Sequence, residues 1–161
     1  MENHSYQLKY TSYASAAELN KEDAKLLIAA REAGHKAYAP YSKFSVGSAV
    51  LLENGEIITG NNQENAAYPS GICAERVAIF YASSQYPGVK IIKVAVTAFS
   101  KDFPVKAPVA PCGSCRQVLS EYEKLHHADI ELILQGQEGG IYRLKNVSSL
   151  LPLAFTSDDL R

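Results

Sequence analysis

Three cysteines constrain this chain most strongly, because each stands where a predicted helix begins. Cys112 and Cys115 have the short spacing that lets two sulfurs reach one tetrahedral ion. Cys73 begins an earlier predicted helix, and an odd number of cysteines argues for a metal or catalytic role rather than disulfides. If the two helix starts meet at one sheet edge, three thiolates can hold zinc and leave the fourth position for water, as in catalytic sites.

Other interpretations of these cysteines stay open at the level of the sequence. Free cysteines are often buried as small hydrophobes. Cys112 and Cys115 at a helix start also resemble a thioredoxin-type dithiol. A non-catalytic zinc module that binds a protein partner is a third possibility, although such sites usually have four protein ligands and only three are evident.

The chain of 161 residues has the length of one domain and predicts an α/β fold. Predicted helices begin at Asn20, Cys73 and Gly113, and predicted strands cover residues 46–52, 56–60, 91–99, 129–135 and 141–144. The Asn54-Gly55 pair predicts a hairpin between the first two strands. The alternation of the later elements predicts a three-layer α/β/α sandwich around a five-stranded mixed sheet. Residues 17–161 form the single predicted domain, and residues 1–16 are a loose N-terminal arm or an edge strand.

Charge and hydropathy exclude several classes of function. With 16 basic and 17 acidic residues the formal charge is −1, so no basic field would hold a polynucleotide. Apolar runs fall far short of the roughly 18 residues that span a bilayer. Residues 1–10 lack the apolar stretch of a secretory signal. We therefore expect a cytoplasmic protein that binds neither nucleic acid nor membrane.

Glu75 adds a second element to the cysteine pattern. It lies two residues after Cys73, where its carboxylate is placed to reach a zinc-bound water, although acidic residues at helix starts are also common for dipole reasons alone. The sequence Cys-Ala-Glu-Arg at residues 73–76, followed by Pro-Cys-Gly-Ser-Cys at residues 111–115, matches the zinc-deaminase signature in its three-cysteine form. In that signature the glutamate is a proton shuttle and not a ligand.

Further segments carry a closer resemblance. Ala-Tyr-Ala-Pro-Tyr-Ser-Lys-Phe-Ser-Val-Gly at residues 37–47, the stretch 62–73 and Leu-Leu-Pro with Phe155 near the C-terminus resemble the small homotetrameric cytidine deaminases of nucleoside salvage. The resemblance runs from about Asn20 to the C-terminus. It implies zinc-dependent hydrolytic deamination of cytidine and 2′-deoxycytidine to uridine and 2′-deoxyuridine, with release of ammonia. It also implies one zinc ion per chain and a homotetramer with shared active sites.

The same resemblance implies roles for residues that would hold the nucleoside. Phe44 would pack against the pyrimidine, and Asn62 and Glu64 would hold the ribose 3′-hydroxyl. Tyr68 and Phe155 resemble residues that complete the pocket of a neighbouring subunit. From the residues alone, plain core packing is the alternative for Phe44, and Tyr68 and Phe155 could equally be ordinary half-buried aromatics.

The resemblance also implies roles around the metal. Three thiolates give a zinc centre a net negative charge, and Arg76, hydrogen-bonded to a ligand sulfur, would draw off part of it. Backbone donors around Ala74 and Cys112 would stabilise the tetrahedral intermediate.

Overall fold

The computed structural model describes residues 1–160. The helices are α1 (Lys21–Gly34), α2 (Ala74–Gln85) and α3 (Gly113–His126). The strands are β1 (Thr11–Tyr13), β2 (Phe44–Leu52), β3 (Ile57–Asn61), β4 (Ile91–Ser100), β5 (Glu131–Gln135) and β6 (Ile141–Leu144). Short 3-10 turns lie at Ala16–Glu18, Tyr68–Ser70, Ser148–Leu150 and Ser157–Leu160.

The strands form one mixed sheet in the order β1-β6-β5-β4-β2-β3. β4 and β5 pair in parallel, joined by a crossover through α3, and the other pairs are antiparallel. The prediction of five strands was wrong by one. The sixth strand is Thr11–Tyr13, which pairs with β6 at the sheet edge. Three polar residues carry no alternation of hydropathy, so only the pairing itself defines this strand.

Helices cover both faces of the sheet, as the three-layer prediction required. Successive residues of a strand point to opposite faces, so each strand contributes to two apolar clusters. The cluster under α1 contains Leu26, Leu27, Ala30, Ala49, Ala95 and Ile133. The cluster under α2 and α3 contains Ile79, Leu119, Val50, Val94, Val96 and Leu132.

Two local signals in the sequence are confirmed. Asn20 caps α1, its side-chain Oδ1 accepting the backbone N–H of Asp23 at 2.8 Å. The predicted hairpin joins β2 to β3, and Gly55 in its turn has a φ of +87°, which favours glycine.

One edge of the sheet gathers the segments that carry the candidate site. Phe44 at the start of β2 lies opposite Ser100 at the end of β4, and Gly47 lies opposite Asn61 at the end of β3. The loop after β4 leads to Cys112 at the start of α3. Within residues 1–160, no helix combines the length and the apolar composition needed to cross a membrane.

Candidate active site

The three cysteine sulfurs meet at the N-termini of α2 and α3. Cys73 is the N-cap residue of α2, Cys112 is the N-cap residue of α3, and Cys115 lies in the first turn of α3. The sulfur of Cys112 lies 3.7 Å from that of Cys73 and 3.5 Å from that of Cys115, and all three fall within 4.8 Å of one another. Tetrahedral zinc with Zn–S bonds of about 2.3 Å places its sulfurs about 3.8 Å apart. The donor set therefore fits one zinc ion.

A glycine on β3 sets the position of α2. A Cβ atom at Gly60 would lie 2.5 Å from the backbone nitrogen of Ala78 and 2.6 Å from the carbonyl oxygen of Ala74. The first turns of α2 therefore rest directly on the strand backbone. This close approach fixes where Cys73 begins the helix.

The pKa values of two of the thiols shift in opposite directions. Hydrogen bonding to Cys115 lowers the pKa of Cys73 to about 5 despite partial burial, and the Arg76 guanidinium lowers it further. Hydrogen bonding to Cys73, together with burial, raises the pKa of Cys115. These shifts favour the thiolate at Cys73 and the protonated thiol at Cys115. Binding of a divalent cation would displace that proton, because thiolates are the metal ligands.

Glu75 lies beside the sulfurs at the start of α2. It is only 4% exposed, yet it lines the same cavity as Cys73 and Cys112. Burial raises the pKa of its carboxyl. A buried carboxylate of this kind can exchange a proton with a small molecule in the cavity.

The cavity itself has a volume of about 610 Å³, a size typical of sites for small molecules. Most of the predicted site residues line it: Phe44, Asn62, Glu64, Tyr68, Cys73, Glu75, Arg76 and Cys112. Ala74 is fully buried, and Cys115 is buried behind Cys112. The structure thus brings together side chains that the sequence places in four separate segments.

Glu64 and Asn62 both bond to the chain around the start of β2. The carboxylate of Glu64 accepts the backbone N–H groups of Tyr41 at 2.9 Å and Ser42 at 3.2 Å, and also the Ser42 hydroxyl. The hydrogen bond from Ser42 lowers the pKa of Glu64 below its usual range, and the two backbone bonds add to this. The amide of Asn62 donates to the Phe44 carbonyl at 2.9 Å and accepts from Val46 at 2.8 Å.

The three predicted aromatic residues differ in position. Phe44 is half-buried in the cavity wall, and its ring stacks on that of Phe103 with centroids 6.3 Å apart. Tyr68 lies at the cavity rim, 77% exposed. Phe155 is 59% exposed and lies outside the cavity of its own chain, with its carbonyl bonded to the Gln117 side chain at 2.8 Å.

The sequence indicates no role for Ser42 or Arg116, although Ser42 lines the cavity and Arg116 holds the chain next to Cys112. Ser42 lies within the segment that resembles the deaminases, and its hydroxyl bonds to Glu64. Arg116 follows the second cysteine of the pair. It donates to the carbonyls of Pro111 at 2.7 Å and Leu150 at 3.0 Å, which holds the residue preceding Cys112.

Comparison with known proteins agrees with this geometry. Residues 20–131 match the family model described as the cytidine and deoxycytidylate deaminase zinc-binding region. This stretch is more than half of the chain and contains the three cysteines and Glu75. The chain belongs to the cytidine deaminase family. Because the matching region is a zinc-binding one, the family also accounts for the three converging sulfurs.

Individual members of the cytidine deaminase family match most of the chain. The cytidine deaminase of Halalkalibacterium halodurans is 44% identical over 140 residues, covering 86% of this chain and 98% of the relative. That of Sporosarcina psychrophila is 42% identical over 137 residues, covering 84% and 93%. The crystal structure of cytidine deaminase from Burkholderia pseudomallei superposes with a TM-score of 0.72 at 37% identity, covering 85% of this chain and all of that one.

Proposed function

We propose that this protein catalyses the zinc-dependent hydrolysis of cytidine and 2′-deoxycytidine to uridine and 2′-deoxyuridine, with release of ammonia. The observation that carries this proposal is the placement of the buried carboxylate of Glu75 in the cavity that also receives the sulfurs of Cys73 and Cys112. A zinc ion held by the three cysteines supplies a Lewis acid that lowers the pKa of water toward about 7.

Glu75 moves the protons of the reaction. As general base, its carboxylate takes a proton from the attacking water and delivers it to ring nitrogen N3, which makes C4 electrophilic. After attack at C4, Glu75 takes the remaining proton from the new C4 hydroxyl and gives it to the amino group. The C4–N bond breaks as the C4 carbonyl forms, so that water and cytidine become uridine and ammonia. Burial supports this role, since it raises the pKa of the carboxyl and so favours the protonated form that must donate to the substrate.

The rest of the cavity would hold the nucleoside. Phe44 supplies an apolar wall for the pyrimidine, while Asn62 and Glu64 face the ribose 3′-hydroxyl. A carboxylate offers about four acceptor positions, and the chain itself fills three of those of Glu64. The amide of Asn62 retains one N–H after its bond to Phe44. The free acceptor position of Glu64 and the free N–H of Asn62 match the donor and the acceptor of a sugar hydroxyl.

Groups around the sulfurs would stabilise the charge of the reaction. Nη2 of Arg76 lies 3.7 Å from the sulfur of Cys73, where a guanidinium draws negative charge from the thiolates. The backbone N–H groups around Ala74 and Cys112 lie at helix N-termini, which favour negative charge. They would donate to the tetrahedral intermediate.

The charges that line the cavity favour a nucleoside over a nucleotide. Among the described lining residues, Arg76 is the one cation, and it bonds to Cys73. Lys43, on the adjoining loop, forms an ion pair with Asp102 at 3.4 Å. A 5′-phosphate would therefore find no unpaired cation in the cavity wall, which disfavours a deoxycytidylate deaminase.

Neither alternative function is favoured. A dithiol oxidoreductase needs the sulfurs of Cys112 and Cys115 but leaves Cys73, 3.7 Å from Cys112, without a purpose. A structural zinc module usually has four protein ligands, whereas three cysteines converge among the described residues. The buried carboxylate of Glu75 has no role in either alternative.

We propose further that the protein is a cytoplasmic homotetramer with shared active sites. The exposed rings of Tyr68 and Phe155 support this arrangement, because each is available to reach a neighbouring subunit. Sedimentation is expected to show a tetramer. A stable, fully active monomer would contradict shared sites.

The direct test of the proposed function is the absorbance of cytidine mixed with the purified protein, with zinc measured in the same sample. We expect cytidine and 2′-deoxycytidine to be converted to their uridine products, and cytidine 5′-monophosphate to react poorly. Disulfide reduction without conversion of cytidine would instead support the dithiol alternative.

A further inference from the structure

The hydroxyl of Ser42 connects Phe44, in the proposed pyrimidine site, with Glu64, in the proposed sugar site. The backbone N–H of Phe44 donates to Ser42 Oγ at 3.0 Å, and the hydroxyl bonds to Oε1 of Glu64. A serine hydroxyl has a single hydrogen. Because Glu64 is an acceptor and Phe44 a donor, that hydrogen points at Glu64.

The backbone of the same loop orients the other oxygen of Glu64. Oε2 accepts the N–H groups of Tyr41 and Ser42, and the backbone N–H of Glu64 bonds to the Tyr38 carbonyl at 2.8 Å. A small rotation of the carboxylate about the Cγ–Cδ bond of Glu64 would preserve these two backbone hydrogen bonds. The Ser42 hydroxyl restrains that rotation, since it holds the second oxygen.

We propose that Ser42 is a positioning residue that aims the Glu64 carboxylate at the 3′-hydroxyl of the sugar, an inference that rests on the proposed nucleoside deaminase function. Ser42 acts here through Glu64 and has no part in proton transfer. Its loss would therefore weaken recognition of the 3′-hydroxyl and leave zinc binding unchanged.

The test compares two substrates that differ in one group, cytidine and 3′-deoxycytidine. We expect Ser42→Ala to lower kcat/KM for cytidine about tenfold, the size expected for one hydrogen bond to a charged group, and that for 3′-deoxycytidine less than about twofold. The matched control is Ser45→Ala, because Ser45 lines a separate cleft with Lys43 and Lys101. It should leave both values within about twofold of the wild type.

Equal losses on both substrates, or no loss on cytidine, would overturn the positioning role. If Ser42→Ala does not fold, Ser42→Cys takes its place, since a thiol fills similar space but is a weak donor. The ratio of kcat/KM for cytidine to that for 3′-deoxycytidine should then fall about threefold, and an unchanged ratio would overturn the inference. A zinc-loaded wild type that converts neither substrate would defeat the proposed function itself, a result distinct from equal losses in the variant.

Discussion

The two ends of the cavity are held in different ways. At the sulfur end, formed by Cys73, Glu75, Cys112 and Cys115, the functional side chains project from helix N-termini whose helices are packed on the sheet. The sugar end is formed by Ser42, Asn62 and Glu64. These side chains lie in or beside loops, and hydrogen bonds within residues 42–46 and to them set their orientation.

Under the proposed function, this difference separates the residues of the chemical step from those that recognise the sugar. The sulfur end depends on buried helices, so a change there would remove the metal or the proposed proton shuttle altogether. The sugar end depends on individual hydrogen bonds, each of which contributes modestly to stability. We therefore expect large, all-or-none effects at the first and graded, substrate-dependent effects at the second.

The largest effect is expected from Cys115→Ala. Three ligands define the site, so losing the buried one should reduce zinc to below about 0.1 per chain, abolish turnover and lower the free energy of unfolding, because metal binding is coupled to folding. Mass spectrometry measures the zinc content, and a thermal melt reports the loss of stability. The matched control is Ser114→Ala, an exposed neighbour in the same helix turn. Full zinc occupancy in Cys115→Ala would show that this sulfur is not a ligand.

Glu75→Ala should separate the shuttle from the metal. We expect zinc to stay bound while kcat falls about 10⁴-fold, the upper part of the range for one acid–base group. Glu75→Gln should fail similarly, because an amide keeps the shape but cannot accept the proton of water. Turnover within about tenfold of wild type, a difference of about 1.4 kcal/mol, would contradict the assigned role.

The sugar end is tested by removing the sugar from the substrate. Free cytosine leaves Asn62 and Glu64 unpaired, so its kcat/KM should be about 10²-fold below that of cytidine. In Glu64→Gln this ratio should shrink, mainly through loss of activity on cytidine. Comparable efficiency on cytosine and cytidine in the wild type would remove the ribose role from both residues.

The smallest effect is expected from the arm. Deleting residues 1–9 leaves β1 in place and should change kcat/KM by less than about twofold, since losses at exposed termini are usually small. Deleting residues 1–13 also removes β1 and leaves the edge of β6 unpaired, which should promote association between molecules. Light scattering measures the association of each variant. A loss of activity on deleting only residues 1–9 would show that the arm has a role in the site.

Local signals in the sequence predicted much of the fold and the sulfur end. Asn20 caps a helix through its own side chain, Asn54-Gly55 forms a hairpin turn, and the spacing of Cys112 and Cys115 places both sulfurs at one helix start. Each of these signals acts within a few residues, so the sequence alone contains it. The convergence of Cys73 with the other two depends on the two helix starts meeting at one sheet edge, and the sulfur distances show that they do.

Contacts between distant segments were harder to predict. Ser42 meets Glu64 across 22 positions of the sequence, because the pairing of β2 with β3 and a bridge between Tyr38 and Gln63 bring their loops together. The strand Thr11–Tyr13 has no hydropathy pattern and exists through its pairing with β6. Phe155 is positioned by Gln117 outside the cavity, and no local feature of the sequence indicates that placement.

The central claim is that one zinc ion, held by three cysteines, makes this chain a cytidine deaminase. Its most direct test removes the metal with a chelator and returns zinc in steps while the conversion of cytidine to uridine is followed by absorbance. We predict that activity disappears with the metal, rises in proportion to added zinc, and reaches a plateau at about one ion per chain. Undiminished conversion by the metal-free protein, or no conversion once zinc is fully bound, would contradict the claim.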